Sequence, residues 1–113
     1  MAHERNSQLL NALNNCVAAC NHCATACLEE EDVKMLTRCI KLDLDCADIC
    51  LLVAGYLARG SGHAEHLLKE CVEICQACAE ECERHAAHGM EHCRACAEAC
   101  RKCAEECMQM AHV

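Results

Sequence analysis

The sequence has no proline, no phenylalanine and no tryptophan, and its only aromatic residue is Tyr56. Glycine occurs four times. A chain this poor in helix-breaking residues fits an all-helical fold. Without large aromatics, the core has to be built from smaller side chains. Ten basic residues against eighteen acidic ones give a formal net charge of −8. That charge disfavours a nucleic-acid partner and mildly attracts cations. No apolar run approaches the ~20 residues that a membrane span requires, so no membrane partner is expected. The opening Met1-Ala2-His3-Glu4-Arg5-Asn6 leads into a polar helix and lacks the apolar segment of a secretory signal.

What the chain has instead is sulfur. Its 113 residues include sixteen cysteines and are expected to form one domain over 1–113. Such density usually marks a secreted disulfide scaffold. Disulfide scaffolds are loop-rich, however, and these cysteines are spaced for helices. Together with the missing signal, the spacing points to reduced thiols and hence to the cytosol. The nominal hydrophobic content of 54% is inflated by these cysteines, because Cys and Ala stand where larger core residues would be.

The pattern Cys-x3-Cys-x2-Cys-x3-Cys occurs three times, as Cys16-Cys20-Cys23-Cys27, Cys71-Cys75-Cys78-Cys82 and Cys96-Cys100-Cys103-Cys107. A near-copy, Cys39-Asp43-Cys46-Cys50, carries a carboxylate in its second slot. Steps of four, three and four keep residues on one face of an α-helix. The expected fold is therefore all-α: an antiparallel up-down-up-down four-helix bundle with a Cys-lined core. Helix 1 is expected from the first residues to Leu28, with Asn6 or Ser7 as an alternative N-cap. After the acidic run Glu29-Glu30-Glu31-Asp32, Asp32 is a plausible N-cap for a helix ending near Arg59. Gly60-Ser61-Gly62 supplies a stop and a fresh cap. Helix 3 is expected from about His63 to His85 or His88, and helix 4 from beyond Gly89 to about Met110.

Aligning the stripes gives four layers. They are Cys16, Cys50, Cys71 and Cys107; Cys20, Cys46, Cys75 and Cys103; Cys23, Asp43, Cys78 and Cys100; and Cys27, Cys39, Cys82 and Cys96. Beyond the first layer come Leu13, Val53, Leu68 and Met110, then Leu9, Leu10 and Leu57, an apolar plug. Beyond the last come His85, Cys93 and Met35, with Met90, His88 and His92 close by. The expected tube has a dry end and a coordinating mouth. Helix 2 carries a second apolar row, Leu36, Ile40, Leu44, Ala47 and Leu51, which either packs at the helix seams or forms a self-association face.

Thiols three and four apart on a helix have Cβ atoms about 5–6 Å apart, so a pair can pinch one small ion. Thiolates select Cu(I), zinc and iron–sulfur clusters over hard ions. Charge separates these. A Cu(I) ion that displaces one thiol proton leaves the charge unchanged, so a whole interior can fill and stay neutral. Zn(II) on four thiolates leaves two negative charges at each site, and stacked sites would repel in a poorly solvated core. The ferredoxin arrangement ending in Cys-Pro is missing. The capacity implied is roughly one Cu(I) per Cys. Protonated Cys behaves as a small apolar residue, so the metal-free bundle can stay folded, unlike a zinc finger.

Beside the thiols, Asp43 either binds an ion with Cys23, Cys78 and Cys100 or turns toward water or a cation, because an unpartnered buried carboxylate is costly. His85 lies three residues after Cys82, on the stripe's face, as a candidate mouth ligand. Met35 and Met90 precede Cys39 and Cys93 by four and three residues, as candidate thioether ligands or core methionines. His3, His22, His63, His66, His112 and Met108 read as surface, and Met110 as plug.

Cys-striped helices with a closed apolar end and a His/Met mouth resemble the bacterial copper storage proteins, in particular their cytosolic branch. The resemblance spans the whole chain. It implies a homotetramer of bundles, a fold largely formed without metal, and Cu(I) loading through the His-bearing mouth. It also implies that Cys16–Cys20, Cys23–Cys27, Cys46–Cys50, Cys71–Cys75, Cys78–Cys82, Cys96–Cys100 and Cys103–Cys107 are binding units, with Cys39 set apart by Asp43. The expected role is cytosolic storage or buffering of multiple Cu(I) ions, not catalysis, with copper donor and acceptor proteins as further partners. The competing readings are a zinc or general soft-metal buffer of the metallothionein kind, a thiol redox sensor, and a plain helical interaction module.

Overall fold

The computed structural model describes the backbone of residues 2–111 and the side chains of residues 6–110. The helices are α1 (Ala2–Leu28), α2 (Thr37–Ala58), α3 (Ala64–Ala86) and α4 (Glu91–Ala111), and a 3-10 turn (Val33–Leu36) precedes α2. Helix α1 packs on α2 and α4, and α3 packs on the same two, while the diagonal pairs stay apart. This is the expected up-down-up-down bundle, 45 × 19 × 19 Å in extent. No helix among the described residues is long and apolar enough to cross a membrane.

Two glycines end helices in the same way. Gly60 and Gly89 have φ of 69° and 93°, a left-handed conformation that costs glycine little. At the first, Ser61 N–H donates to Tyr56 O at 2.9 Å and Gly60 N–H to Leu57 O at 3.1 Å. At the second, Met90 N–H donates to His85 O at 3.4 Å and Gly89 N–H to Ala86 O at 2.9 Å. These bonds satisfy terminal carbonyls and turn the chain back on itself. Ser61 Oγ accepts from His63 N–H at 3.1 Å, but the N-cap of α3 is His63, without a side-chain cap bond, and not a residue of the Gly60-Ser61-Gly62 segment as expected.

The start of α2 departs from expectation. Asp32 caps the 3-10 turn and makes no side-chain cap bond. Four residues wound at about three per turn change the phase ahead of Cys39. Leu36, expected in the outer row, is therefore fully buried. Met35, expected at the mouth, is 55% exposed.

The registers of α1 and α4 also differ. Helices α2 and α3 pair as expected, with Cys50–Cys71 Sγ at 3.8 Å, Cys46–Cys75 at 3.6 Å and Cys39–Cys82 at 3.6 Å. Cys16, however, lies 3.7 Å from Cys46 and 3.8 Å from Cys100, one stripe step toward the mouth from its expected layer. Helix α4 is displaced the opposite way, with Cys103 3.8 Å from Cys50 and Cys100 3.9 Å from Cys46, one step toward the closed end. Leu13 and Leu9 follow into the closed end, where with Val53 they are fully buried and Leu68 nearly so. The plug is thus deeper than expected. Leu10, Leu57 and Met110 pack against it partly buried, and so does Met108, which had read as surface. His22, His63 and His66 are exposed, while the expectations for the His3 and His112 side chains lie outside the described residues.

Candidate metal centre

Every one of the sixteen cysteines is free and fully buried. No disulfide joins them, and no thiol of the stripes faces solvent. The α-helical period keeps each stripe on one face of its helix, and that face is the one turned inward.

The sulfurs form a continuous column. From the closed end, Cys107 Sγ lies 3.9 Å from Cys71, Cys71 lies 3.8 Å from Cys50, and Cys50 lies 3.8 Å from Cys103 and 3.7 Å from Cys75. Cys75 leads to Cys46 at 3.6 Å, Cys46 to Cys100 at 3.9 Å and Cys100 to Cys20 at 3.6 Å. Cys20 meets Cys96 at 3.7 Å. Toward the mouth, Cys23 lies 3.9 Å from both Cys27 and Cys93.

Between the inner column and the mouth stands Asp43. Its carboxyl is fully buried. Oδ1 accepts from Cys78 at 3.2 Å, Cys96 at 3.3 Å and Cys82 at 3.5 Å, and Oδ2 lies 4.0 Å from Cys39. Of the three thiols expected around it, Cys78 is present, while Cys96 and Cys82 stand where Cys23 and Cys100 were anticipated. Burial first, then the neighbouring Cys96, Cys78 and Cys39, push its carboxyl up to about 10. Asp43 is therefore a neutral acid at pH 7, which removes the cost of an unpartnered buried charge. The thiols divide into two groups. Burial first, then Cys39, pushes Cys27 up to about 12, and Cys100 is raised by Cys16 and Cys20 ahead of burial. Cys16, Cys39, Cys46, Cys71, Cys78 and Cys96 are instead lowered, chiefly by hydrogen bonds from neighbouring thiols.

Quartets of ligand atoms lying within 4.8 Å of one another occupy the column: Cys50, Cys71, Cys75 and Cys103; Cys16, Cys46, Cys50 and Cys75; Cys16, Cys20, Cys46 and Cys100; Cys20, Cys78, Cys96 and Cys100; and Cys23, Cys27, Cys39 and Cys93. One quartet alone fits a tetrahedral zinc, whose sulfurs at about 2.3 Å from the metal lie roughly 3.8 Å apart. The overlap decides otherwise. Cys16, Cys20, Cys46, Cys50, Cys75 and Cys100 each belong to two quartets. Neighbouring ions would have to share thiolates, which suits bridging between ions of low charge and coordination number.

At the mouth, the residues picked out by the sequence separate. Cys93 joins Cys23, Cys27 and Cys39. Met90 packs half-buried against the core. Met35 and His88 are exposed, and the structure does not bring them to the sulfurs. His85 is buried on the expected face, but its Nε2 lies 2.9 Å from Glu81 Oε2. Glu81 is in turn 3.4 Å from Arg38 and 3.7 Å from Arg84. The imidazole that reaches the thiols is His92, with Nδ1 at 3.5 Å from Cys93, 3.6 Å from Cys23 and 3.9 Å from Cys27. His92 stands four residues before Cys96, so the stripe's own spacing could have singled it out.

Comparison with known proteins agrees with this geometry. The profile of a family described as copper storage protein matches residues 2–112. A cytosolic copper storage protein from Streptomyces lividans, solved with five coppers, is 41% identical over 97% of this chain and 94% of its own, with a TM-score of 0.92. The Cu(I)-bound copper storage protein BsCsp3 of Bacillus subtilis is 42% identical over 95% of this chain and 98% of its own, with a TM-score of 0.88. The uncharacterized cysteine-rich protein YhjQ of Bacillus subtilis (strain 168) is 54% identical over 43 residues, which span 38% of this chain and 40% of that protein. On the match of nearly its whole length, this chain belongs to the copper storage protein family.

Proposed function

We propose that this protein stores multiple Cu(I) ions in the cytosol, binding them along its thiol column after loading at the mouth. The observation that carries this reading is the overlap of the sulfur quartets, since shared thiolates suit a run of univalent ions and not a set of separate zinc sites. The copper carried by the similar proteins supports it, one structure holding five coppers and another 10 copper equivalents. The metal ligands are the sixteen cysteines and Asp43, with His92 at the mouth, while His85, Met90 and Met35 play at most an outer part. Successive layers lie near 5 Å apart, half a heptad at 1.5 Å per residue, so an ion can move by exchanging one thiolate for the next. The role is storage and not catalysis: fully buried thiols lack the exposed electropositive setting of a reactive cysteine.

We assign self-association to the outer face of α2, where Leu44, Leu51 and Leu52 are 46%, 61% and 45% exposed. Three large exposed apolar side chains on one helix suit burial against another copy, in keeping with a homotetramer.

Purification from copper-fed and zinc-fed cells, with metal and thiol analysis, tests the storage reading. Many copper ions per chain, not displaced by excess Zn(II) at neutral pH, are expected. Zinc that resists Cu(I) would favour a general soft-metal buffer.

A further inference from the structure

We infer that Glu30 is a positioning residue for His92, holding the imidazole so that Nδ1 faces the outermost thiols and receives the incoming Cu(I). The inference rests on the storage reading above. Glu30 lies in the connection after α1 and His92 in the first turn of α4, so the contact joins two neighbouring corners of the mouth.

The geometry uses both nitrogens of the ring. Nε2 lies 2.9 Å from Glu30 Oε2. Nδ1 lies 3.5 Å from Cys93, 3.6 Å from Cys23 and 3.9 Å from Cys27. A neutral imidazole carries one N–H. Placed on Nε2, that hydrogen is donated to the carboxylate, and the Nδ1 lone pair points at the sulfurs. The other tautomer would set an Nε2 lone pair against a carboxylate oxygen and leave no lone pair on the metal side. Glu30 therefore selects the tautomer and the ring angle together, as a carboxylate behind a metal-binding histidine does. The Glu30 side chain is 37% exposed and that of His92 14%. In a run of four acidic residues that repel one another, one carboxylate folds over the mouth toward the His92 ring. His85 also has a carboxylate behind Nε2, from Glu81. That carboxylate is shared with Arg38 and Arg84, and His85 makes no sulfur contact among the described residues. The pairing at His92 is the one aimed at the thiols.

The test measures anaerobic Cu(I) uptake by the full metal-free chain from a coloured chelator complex. Variants are E30A, E30Q, H92A and the double variant E30A/H92A. The initial rate in E30A is expected to fall roughly tenfold, the scale of losing such a supporting bond. E30Q keeps an acceptor oxygen and is expected within about twofold of wild type, because the bond and not the charge sets the ring. H92A is expected to be at least as slow as E30A, and the double variant no slower than H92A. Total capacity is expected to be unchanged in E30A and E30Q. An E30A rate equal to wild type overturns the inference. So does an E30Q rate as slow as E30A, which would make Glu30 a charge that attracts ions, or a double variant slower than H92A. If wild type itself holds about four ions or fewer, well short of one per thiol, the storage reading fails first. If wild type fills and Glu30 proves irrelevant, only this inference fails.

Discussion

The Asp43 carboxyl accepts the Cys78 thiol at 3.2 Å, closer than any sulfur–sulfur pair in the column, and it does so as an uncharged acid. Its ordinary value of 3.8 is raised to about 10, chiefly by burial. A raised carboxyl stabilises the fold fully below its unfolded pKa, and that stabilisation is lost as pH climbs toward the folded value. From about pH 4 upward the unfolded chain ionises Asp43 while the fold keeps it neutral, so metal-free stability falls with rising pH. Asn at this position has no proton to lose. Thermal melts of reduced, metal-free protein between about pH 5 and 7.5, below ordinary thiol titration, are expected to show a steeper decline for wild type than for D43N. Parallel curves would mean that Asp43 reaches water or a cation.

Shared and unshared thiols are expected to differ in what their loss removes. Cys100 belongs to two quartets, whereas Cys107 touches the column through Cys71. Cys100→Ala is expected to lower Cu(I) capacity by about two ions and Cys107→Ala by about one, given ions held by two or three thiolates. Each change is expected to cost the metal-free fold about 1 kcal/mol, the scale of one small buried group. Chelator competition gives the capacity and denaturant melts the stability.

The plug is expected to set stability without setting capacity. Leu13 is fully buried between the thiols and the closed end. Leu13→Ala is expected to destabilise the metal-free chain by about 2–5 kcal/mol while the number of bound ions stays constant. A fall in capacity matching the fall in stability would mean that the closed end itself binds metal.

The four stripes and the bundle were legible in the sequence because one number, the helical period, governs both. Where chain geometry between helices entered, legibility ended. The 3-10 turn at Val33–Leu36 is invisible to a count that continues the α-helical phase back from Cys39, so Met35 was placed inward and Leu36 outward. Helices α1 and α4 each lie one stripe step from the aligned layers, which took Cys23 away from Asp43 and put Cys96 in place of Cys100. His92 was within reach of the spacing rule, four residues before Cys96. His85 was drawn to the stripe by the same rule, yet Glu81 holds its Nε2, a tertiary competition that spacing cannot reveal.

The outer face of α2 is expected to hold copies of the bundle together. Leu51 is 61% exposed and Leu44 46%. A charge at either position would have to be buried unpaired in a contact between copies. Leu51→Glu and Leu44→Glu are expected to lower the mass seen by light scattering at micromolar concentration and to leave helicity by circular dichroism unchanged. A mass that does not move would place the contact on another surface.

The most direct test of a shared sulfur column for univalent ions is an anaerobic titration of the reduced, metal-free chain with Cu(I) against a coloured chelator. Stoichiometric uptake of roughly one Cu(I) per Cys, with two or three thiolates on each ion, is predicted. Saturation at about four ions or fewer, the number that separate four-thiolate sites would allow sixteen cysteines, would contradict it.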